Sequence, residues 1–287
     1  MEVDLFGNEI VKDELLRDKF IEPPFSILDT KSGNWQKRKR LWIGKGLKSE
    51  VGREIQYKYG FNPDEMQSGK KEEDRVSVFD PALCEVLYHW FCPAGGTILD
   101  PFAGGSVRGI VANYLGYKYT GIDIRQEQVD SNRKQAMDIL PIENQPQWYL
   151  GDSNELLNDN WNTKFDMVMS CPPYADLEVY SDLEGDISNK PYSQFLQLYE
   201  SIIAKSCKLL KVGGYACFVV GEVRDKNGFY IGFVPDTIKA FEKCGMKFYN
   251  EAILLNAIAS ASMRANGNMK SQKLVKVHQN ILVFKKI

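Results

Sequence analysis

The sequence predicts an α/β fold in which a mainly parallel, seven-stranded sheet is covered by helices on both faces. From residue 97 onward, short apolar segments alternate with segments whose apolar residues recur at helical spacing. Glycine or acidic residues follow the first three apolar segments, as is typical of ligand-binding turns at the carboxyl ends of parallel strands. The predicted strands are residues 97–99, 118–122, 147–150, 165–170, 215–220, 248–255 and 280–285.

Helices are predicted between these strands, and one precedes the first of them. Pro81 follows Asp80, so a helix is expected to start there with proline in its first turn and to continue to about Trp90. Further helices are expected from the glycine-rich turn to residue 115, and over residues 126–140, 193–210 and 235–243.

Two segments without acidic residues contrast with the formal net charge of −2. Residues 31–49 combine lysines and arginines with Trp35 and Trp42, and residues 252–287 include the polar stretch 256–272, which we expect to be a mobile basic loop. Such segments favour one positively charged face, and interleaved tryptophans suit stacking on nucleic acid, although ordinary solvated surface is the alternative. The predicted nucleic-acid-binding residues are Lys37, Arg38, Lys39, Arg40, Arg264, Lys270 and Lys273.

The composition argues against several classes of protein. No apolar run approaches the ~20 residues of a membrane span, and the N-terminus lacks a signal-peptide pattern. The six cysteines show no CxxC spacing and there are only two histidines, so neither a disulfide framework nor a metal site is indicated. A protein of the cytoplasm with reduced thiols is the expectation.

Ligand-type residues follow three successive predicted strands. The run Asp100-Pro-Phe-Ala-Gly-Gly-Ser106 would let backbone approach a ligand, although it departs from GxGxxG and a tight strand–helix turn is the alternative. Asp123, about 20 residues later, is placed to accept hydrogen bonds from ribose hydroxyls. Asp152 could accept an adenine amine, or it and Ser153 could cap a helix. Together these residues describe a crevice for a nucleoside.

The pentapeptide Ser-Cys-Pro-Pro-Tyr at residues 170–174 follows the fourth predicted strand. Its prolines fix φ, remove two backbone donors and hold the chain extended. Backbone carbonyls and an aromatic ring are then presented at the carboxyl end of the sheet, as a pocket for a flipped nucleic-acid base requires. A strand-ending turn with a core tyrosine is the alternative.

The motifs DPFAGG, GID, GDS and CPPY, in this order, resemble those of S-adenosylmethionine-dependent DNA amino-methyltransferases. The resemblance covers about residues 76–222 and the terminal strand at 278–285, and the segments PPFSILDT and WQKRKRLW look like those of phage or prophage methylases. It implies a Rossmann-like class I methyltransferase fold and a role in restriction-modification. It further implies that a methyl group passes from S-adenosylmethionine to the exocyclic amine of a flipped cytosine or adenine in double-stranded DNA.

The resemblance also assigns residues and domains. Residues 1–75 would be an N-terminal extension that contacts DNA, and residues 76–287 the methyltransferase domain, with recognition loops near 175–192 and 256–277. Cys171, Pro172, Pro173 and Tyr174 would form the catalytic motif. The implied cofactor-binding residues are Asp100, Phe102, Gly104 and Gly105 at the methionine part, Asp123 at the ribose, Asp152 at the adenine, Ser153 beside it, and Phe79 from the family's tenth motif.

Cys171 departs from the family pattern, which has Asp, Asn or Ser at this position. Cysteine is a weak acceptor, so the carbonyl of Pro172 would have to do more to orient the amine. One alternative is a cytosine carbon-5 methyltransferase with Cys171 as nucleophile and Glu222 at the ring nitrogen, although that family's Pro-Cys-Gln is absent. Another is an inactive DNA-binding protein of the same fold. The oligomeric state is open, and a dimer that embraces DNA is compatible with short recognition loops.

Overall fold

Strands and helices alternate along the chain largely where the sequence predicts them. The computed structural model describes residues 16–48, 56–57, 79–158, 160–174, 178–179, 181–183, 185–256 and 261–287. The strands are β1 (Ile27–Asp29), β2 (Gln56–Tyr57), β3 (Thr97–Asp100), β4 (Lys118–Asp123), β5 (Gln147–Leu150), β6 (Phe165–Ser170), β7 (Glu178–Val179), β8 (Leu210–Val220), β9 (Met246–Leu255) and β10 (His278–Lys286). The helices are α1 (Leu16–Phe20), α2 (Gly33–Gly44), α3 (Pro81–Phe91), α4 (Val107–Tyr114), α5 (Gln126–Ile139), α6 (Ser153–Leu156), α7 (Tyr192–Leu209), α8 (Phe233–Lys243) and α9 (Ala261–Lys270).

The main sheet has the strand order β1-β9-β10-β8-β6-β3-β4-β5. Strand β10 is antiparallel to β8 and β9, and the other neighbouring pairs are parallel. The chain runs outward from β3 through β4 to β5 and then returns to place β6 on the other side of β3. Such a reversal opens a crevice at the carboxyl ends of the strands. The predicted Rossmann-like methyltransferase fold is confirmed.

The main sheet contains eight strands among the described residues, so the prediction of seven is wrong. The additional strand is β1, which pairs in parallel with β9 through Ile27–Ile253, Leu28–Leu254 and Asp29–Leu255. Three residues are too short to show strand periodicity, and the partner lies more than 220 residues away in the chain. Local sequence therefore gives no signal for this pairing.

Two apolar layers sandwich the sheet, because successive strand residues point to opposite faces. Ile98 of β3 packs in a cluster with side chains of α2, α3, α4 and α5. Leu99, the next residue, packs in a second cluster with side chains of α7 and α8. The helices thus cover both faces, as predicted.

Helix ends follow local chemistry. The Asp80 carboxylate accepts a hydrogen bond from the backbone N–H of Ala82 at 2.9 Å, and Pro81 occupies the first turn of α3 as expected. By contrast, the predicted loop over residues 256–272 is wrong, because residues 261–270 form helix α9. The serines, asparagines and glycine there favoured a loop, whereas Ala261, Met263 and Arg264 are good helix formers.

Some predictions fall outside the described residues. The boundary between residues 75 and 76 is one, and part of the predicted recognition loop at 175–192 is another. Within that loop, β7 pairs antiparallel with β2 in a separate two-stranded sheet, and residues 187–189 form a 3₁₀ turn.

Candidate active site

Asp100 lies at the end of β3 and is completely buried. Its carboxylate accepts hydrogen bonds from Arg108 Nε at 2.5 Å, Tyr119 Oη at 2.7 Å and Ser170 Oγ at 2.6 Å. Contrary to the expectation from the resemblance, Asp100 does not line the ligand cavity. A buried carboxylate is stable only when its oxygens are paired, and these three donors serve that purpose. These three contacts join the end of β3 to α4, β4 and β6.

Arg108 is the partner that the sequence analysis missed. Its guanidinium also donates to the carbonyls of Phe102 at 2.6 Å and Ala103 at 2.7 Å, and it lies 4.7 Å from the ring centroid of Phe79. Burial is the largest single influence on the pKa of Arg108 and lowers it, but Asp100, Tyr119 and Cys171 together raise it by more, so the group stays charged. The arginine thereby fixes the glycine-rich turn. The available signal was a single arginine within the apolar run of α4.

A cavity of about 300 Å³ opens at the carboxyl ends of β3, β4, β5 and β6. It brings together most of the residues that the sequence singled out, from five separate segments of the chain. Gly105 is buried and, like Asp100, is not among the residues that line the cavity. The predicted catalytic and cofactor-binding residues that do line it are Phe79, Phe102, Gly104, Asp123, Asp152, Ser153, Cys171, Pro172, Pro173 and Tyr174.

Two carboxylates lie on one side of this cavity. Asp123 accepts hydrogen bonds from the backbone N–H groups of Gly104 and Arg125, each at 2.9 Å. Asp152 caps helix α6 by accepting from the N–H of Asn154 at 2.7 Å. The cap interpretation of Asp152 is thus correct, and the same side chain lines the cavity. Ser153 is buried, and its hydroxyl donates to the carbonyl of Pro101.

The Cys171–Tyr174 motif follows β6, which lies on the other side of β3 from β4 and β5, and it lines the cavity from there. The Cys171 sulfur lies 4.0 Å from the Tyr174 hydroxyl, which accepts a hydrogen bond from Gln279 Nε2 at 2.5 Å. The Tyr174 ring packs edge-on against Phe233, with 6.1 Å between ring centroids. These contacts hold the ring in one orientation beside the cavity. Gln279 was missed because nothing in the local sequence links β10 to the cavity.

The N-terminal segment adds a wall that the sequence analysis also missed. Thr30, Gln36 and Lys39 line the cavity. The Thr30 hydroxyl donates to the carbonyl of Leu255 at 2.6 Å, and the Gln36 amide donates to the carbonyl of Thr30 at 2.6 Å. The ammonium of Lys39 lies 3.3 Å from the Asp80 carboxylate. Lys39, predicted as a DNA contact, therefore faces the cavity.

The tryptophans of the first basic segment do not face solvent. Trp35 is 1% exposed and Trp42 is 5% exposed, and their indole nitrogens donate to Asp80 and Glu85, respectively. The idea that these rings stack on nucleic acid is therefore wrong, because they pack into the apolar layer around α3. Arg38 forms an ion pair with Glu85 at 3.0 Å. The other two predicted contacts, Lys37 and Arg40, are exposed.

Glu222 lies in a different place from the one predicted. Its carboxylate accepts a hydrogen bond from the N–H of Phe233 at 2.7 Å, and it lines a second cavity rather than the first. The expected contact with a target ring nitrogen is thus not supported, because this acid caps the start of α8. Arg264 and Lys273 line the same second cavity, and Lys270 is exposed on α9.

No described helix is long and apolar enough to cross a membrane. Among the described side chains, no group of three or more His, Cys, Asp or Glu is arranged to hold a metal ion.

Several solved structures resemble this chain in fold, at low sequence identity. A structure of TrmN from Thermus thermophilus has a TM-score of 0.48 at 14% identity; the match covers 73% of this chain and 49% of TrmN, so the chain spans about half of TrmN. Magnesium protoporphyrin IX methyltransferase from Synechocystis, solved with bound SAM, gives 0.44 at 13% over 72% and 79% of the two chains. A TehB-like SAM-dependent methyltransferase from Corynebacterium glutamicum gives 0.44 at 16% over 88% and 97%.

No curated protein matches the chain. A protein-family model does match, over residues 39–223, which is more than half of the chain. The matched region starts within α2 and includes β3 to β6, β8 and the cavity residues between Phe79 and Tyr174. The chain therefore belongs to the Eco57I restriction-modification methylase family.

Proposed function

We propose that this methylase transfers a methyl group from S-adenosylmethionine to the exocyclic amine of a flipped cytosine or adenine in double-stranded DNA. The observation that carries the proposal is the single cavity shared by Asp123, Asp152 and the Cys171–Tyr174 motif. A methyl donor and an acceptor base must occupy adjoining space, and a cavity with two differently equipped sides fits that need. Family membership supports methyl transfer, and the motif supports an amine as the acceptor.

The residues of one side fit the nucleoside part of S-adenosylmethionine. Asp123 provides carboxylate oxygens for ribose hydroxyls, and Asp152 provides them for the adenine amine. Backbone approaches closely at Gly185, where an added Cβ would lie 2.8 Å from Ile124 Cδ1 and 3.1 Å from Asp152 Oδ2. When bound, this cofactor supplies a methyl group already activated on a sulfonium.

The other side is equipped to orient a base. The Tyr174 ring, fixed by Gln279 and Phe233, offers a face for stacking on a flipped base. The carbonyl of Pro172 accepts a hydrogen bond from the target amine, since the Cys171 thiol is a weak acceptor. These groups hold the amine nitrogen toward the methyl donor, and catalysis is mainly positioning.

The carbon-5 alternative has less support. It requires Cys171 to add to the ring and an acid to contact the ring nitrogen, whereas the Glu222 carboxylate already accepts a hydrogen bond from the N–H of Phe233. The inactive alternative is disfavoured because Asp123, Asp152 and Tyr174 all line the shared cavity.

The decisive experiment identifies the modified base. The protein is incubated with S-adenosylmethionine and duplex DNA, and the DNA is digested to nucleosides for mass spectrometry. We expect N4-methylcytosine or N6-methyladenine. Carbon-5 methylcytosine as the sole product would contradict the proposal, and cofactor binding without any methylated nucleoside would support the inactive alternative.

Replacement of Cys171 separates the two catalytic readings. Cys171→Ser should keep or raise turnover, because a hydroxyl is the better acceptor for an amine. A nucleophilic role predicts instead a loss of at least about 100-fold. Methyl transfer to DNA is measured under saturating cofactor. Cys244→Ser, a partly buried cysteine outside the cavity, is the matched control and should leave turnover unchanged.

A further inference from the structure

A second cavity, of about 200 Å³, lies between the hairpin that follows β8 and the segment that joins α9 to β10. It concentrates cationic side chains around a single carboxylate. Among the described residues, none forms an ion pair with Arg264, Lys273 or Lys276. The polar and aromatic side chains that define it are Glu222, Arg224, Tyr230, Arg264, Lys273 and Lys276.

The carboxylate does not balance these cations. Glu222 already accepts the hydrogen bond from the N–H of Phe233. Burial lowers the pKa of Lys276 more than the proximity of Glu222 raises it. The half-buried ammonium therefore lacks full electrostatic compensation, which a bound anion would provide.

Backbone contacts hold the cations of the hairpin in place. The Arg224 guanidinium lies 3.9 Å from the Tyr230 ring centroid and donates to the carbonyl of Gly228 at 2.6 Å. The ammonium of Lys273 packs against the same glycine, where an added Cβ would lie within 2.4 Å of the lysine Cε. Gly228 has φ +89°, so the turn depends on glycine at this position. Arg224 and Lys273 are thus held in place by contacts within the protein.

The second cavity adjoins the Tyr174 side of the first. Gly221, which precedes Glu222, lies against the Tyr174 ring. Gln279, whose amide donates to the Tyr174 hydroxyl, is three residues after Lys276 and hence within about 10 Å of it along the chain. An anion bound in the second cavity would therefore lie near any base that stacks on Tyr174.

We propose that the second cavity binds one backbone phosphate of the DNA substrate, next to the flipped nucleotide. The proposal rests on the proposed function and adds to it the place where the DNA strand contacts the protein beside the flipped nucleotide. Arginine presents a fork of donors that matches phosphate oxygens, and lysine adds a point charge. Arg264, Lys273 and Lys276 lie outside residues 39–223, the part of the chain that matches the family model.

Salt dependence of DNA binding tests the site. Arg264→Gln and Lys273→Gln should each weaken duplex binding several-fold, and each should reduce the slope of log K against log salt by about 1, because one phosphate contact is lost. Arg264→Lys keeps the charge and should restore most of the slope. Lys134→Gln, an exposed lysine on α5, is the matched control and should change neither quantity. S-adenosylmethionine affinity, measured by calorimetry, should stay unchanged in every variant.

The outcomes separate this proposal from the one that supports it. Unchanged affinity and slope in both glutamine variants, while the wild-type protein methylates DNA, would overturn the phosphate site alone. Failure of the wild-type protein to bind or methylate DNA would overturn the proposed function and this site with it. Inorganic phosphate is the third probe, and its stabilisation of each protein against thermal unfolding is measured. The variants could lose this stabilisation while the salt slope of their DNA binding stays unchanged. The cavity would then bind free anions, and the proposal would be wrong.

Discussion

The two basic segments look alike in the sequence but differ in the folded protein. Both lack acidic residues, yet Arg38 and Lys39 of the first segment contact Glu85 and Asp80 of α3. Arg264 and Lys273 of the second form no ion pair with any described residue and instead line the second cavity. A segment without acidic residues in its sequence can therefore still have acidic side chains as neighbours in the folded protein.

The tryptophans explain the difference. Trp35 and Trp42 anchor α2 in the apolar layer, which brings the neighbouring cations onto the acids of α3. Helix α9 has no comparable anchor, since Met263 and Met269 are exposed and Ala261 is its one fully buried residue among those described. The first segment stabilises the fold, whereas the second remains available for a ligand.

The largest effect is expected from removal of an anchor. Trp35→Ala should lower the free energy of unfolding by about 3–5 kcal/mol, because a large buried side chain is replaced by a cavity. The matched change in the second segment, Met269→Ala, should cost less than about 0.5 kcal/mol, because the side chain is exposed. Denaturant titration measures both. Similar costs at the two positions would break the comparison.

A smaller effect is expected from the acid that pairs the first segment. Glu85→Ala leaves Arg38 and the indole N–H of Trp42 without their acceptor and should lower stability by about 1–3 kcal/mol. The salt slope of DNA binding should not change. Glu200→Ala is the control, because its pairing with the exposed Lys243 is worth about 0–1 kcal/mol. A change in the salt slope for Glu85→Ala would contradict a purely structural role.

The smallest effect concerns Lys276, whose pKa is lowered in the folded chain from an ordinary value of 10.5. At pH values between the lowered and the ordinary pKa, the unfolded chain binds a proton that the folded chain has released. The free energy of unfolding of the wild type therefore increases as the pH rises. Lys276→Met removes that gain and should be neutral or slightly stabilising at neutral pH. The effect should stay below about 1 kcal/mol, since solvent screens a half-exposed charge. The free energy of unfolding of wild type and variant is measured at neutral and alkaline pH. The wild-type value minus the variant value should increase as the pH rises.

Local patterns were sufficient for most of the fold. Apolar runs bounded by turn residues located β3 to β6 within one residue, because β3, β4 and β6 are largely buried and each strand ends at a turn. Ligand-type residues at successive strand ends predicted a shared crevice, and Asp123, Asp152 and Tyr174 do share one cavity.

Long-range contacts were beyond the reach of those patterns. The sequence does not reveal that Asp100 has Arg108 as a buried partner, and this pairing changes the aspartate from an expected ligand contact into a structural residue. It likewise does not reveal that Thr30 and Gln36 reach the cavity, because the strand that carries them there pairs with β9. In each instance the residue that contacts the side chain is far away in the sequence, or no sequence motif marks it as a partner.

The pairing of β1 with β9 has a consequence for synthesis of the protein. Residues 27–29 leave the ribosome first, but their hydrogen-bonding partners at 253–255 are translated more than 220 residues later. The wall formed by Thr30 depends on the same late partner, since its hydroxyl donates to Leu255. A nascent chain that already contains β3 to β8 thus still lacks one wall of its cavity. This wall of the pocket can form only after residues 253–255 have been translated.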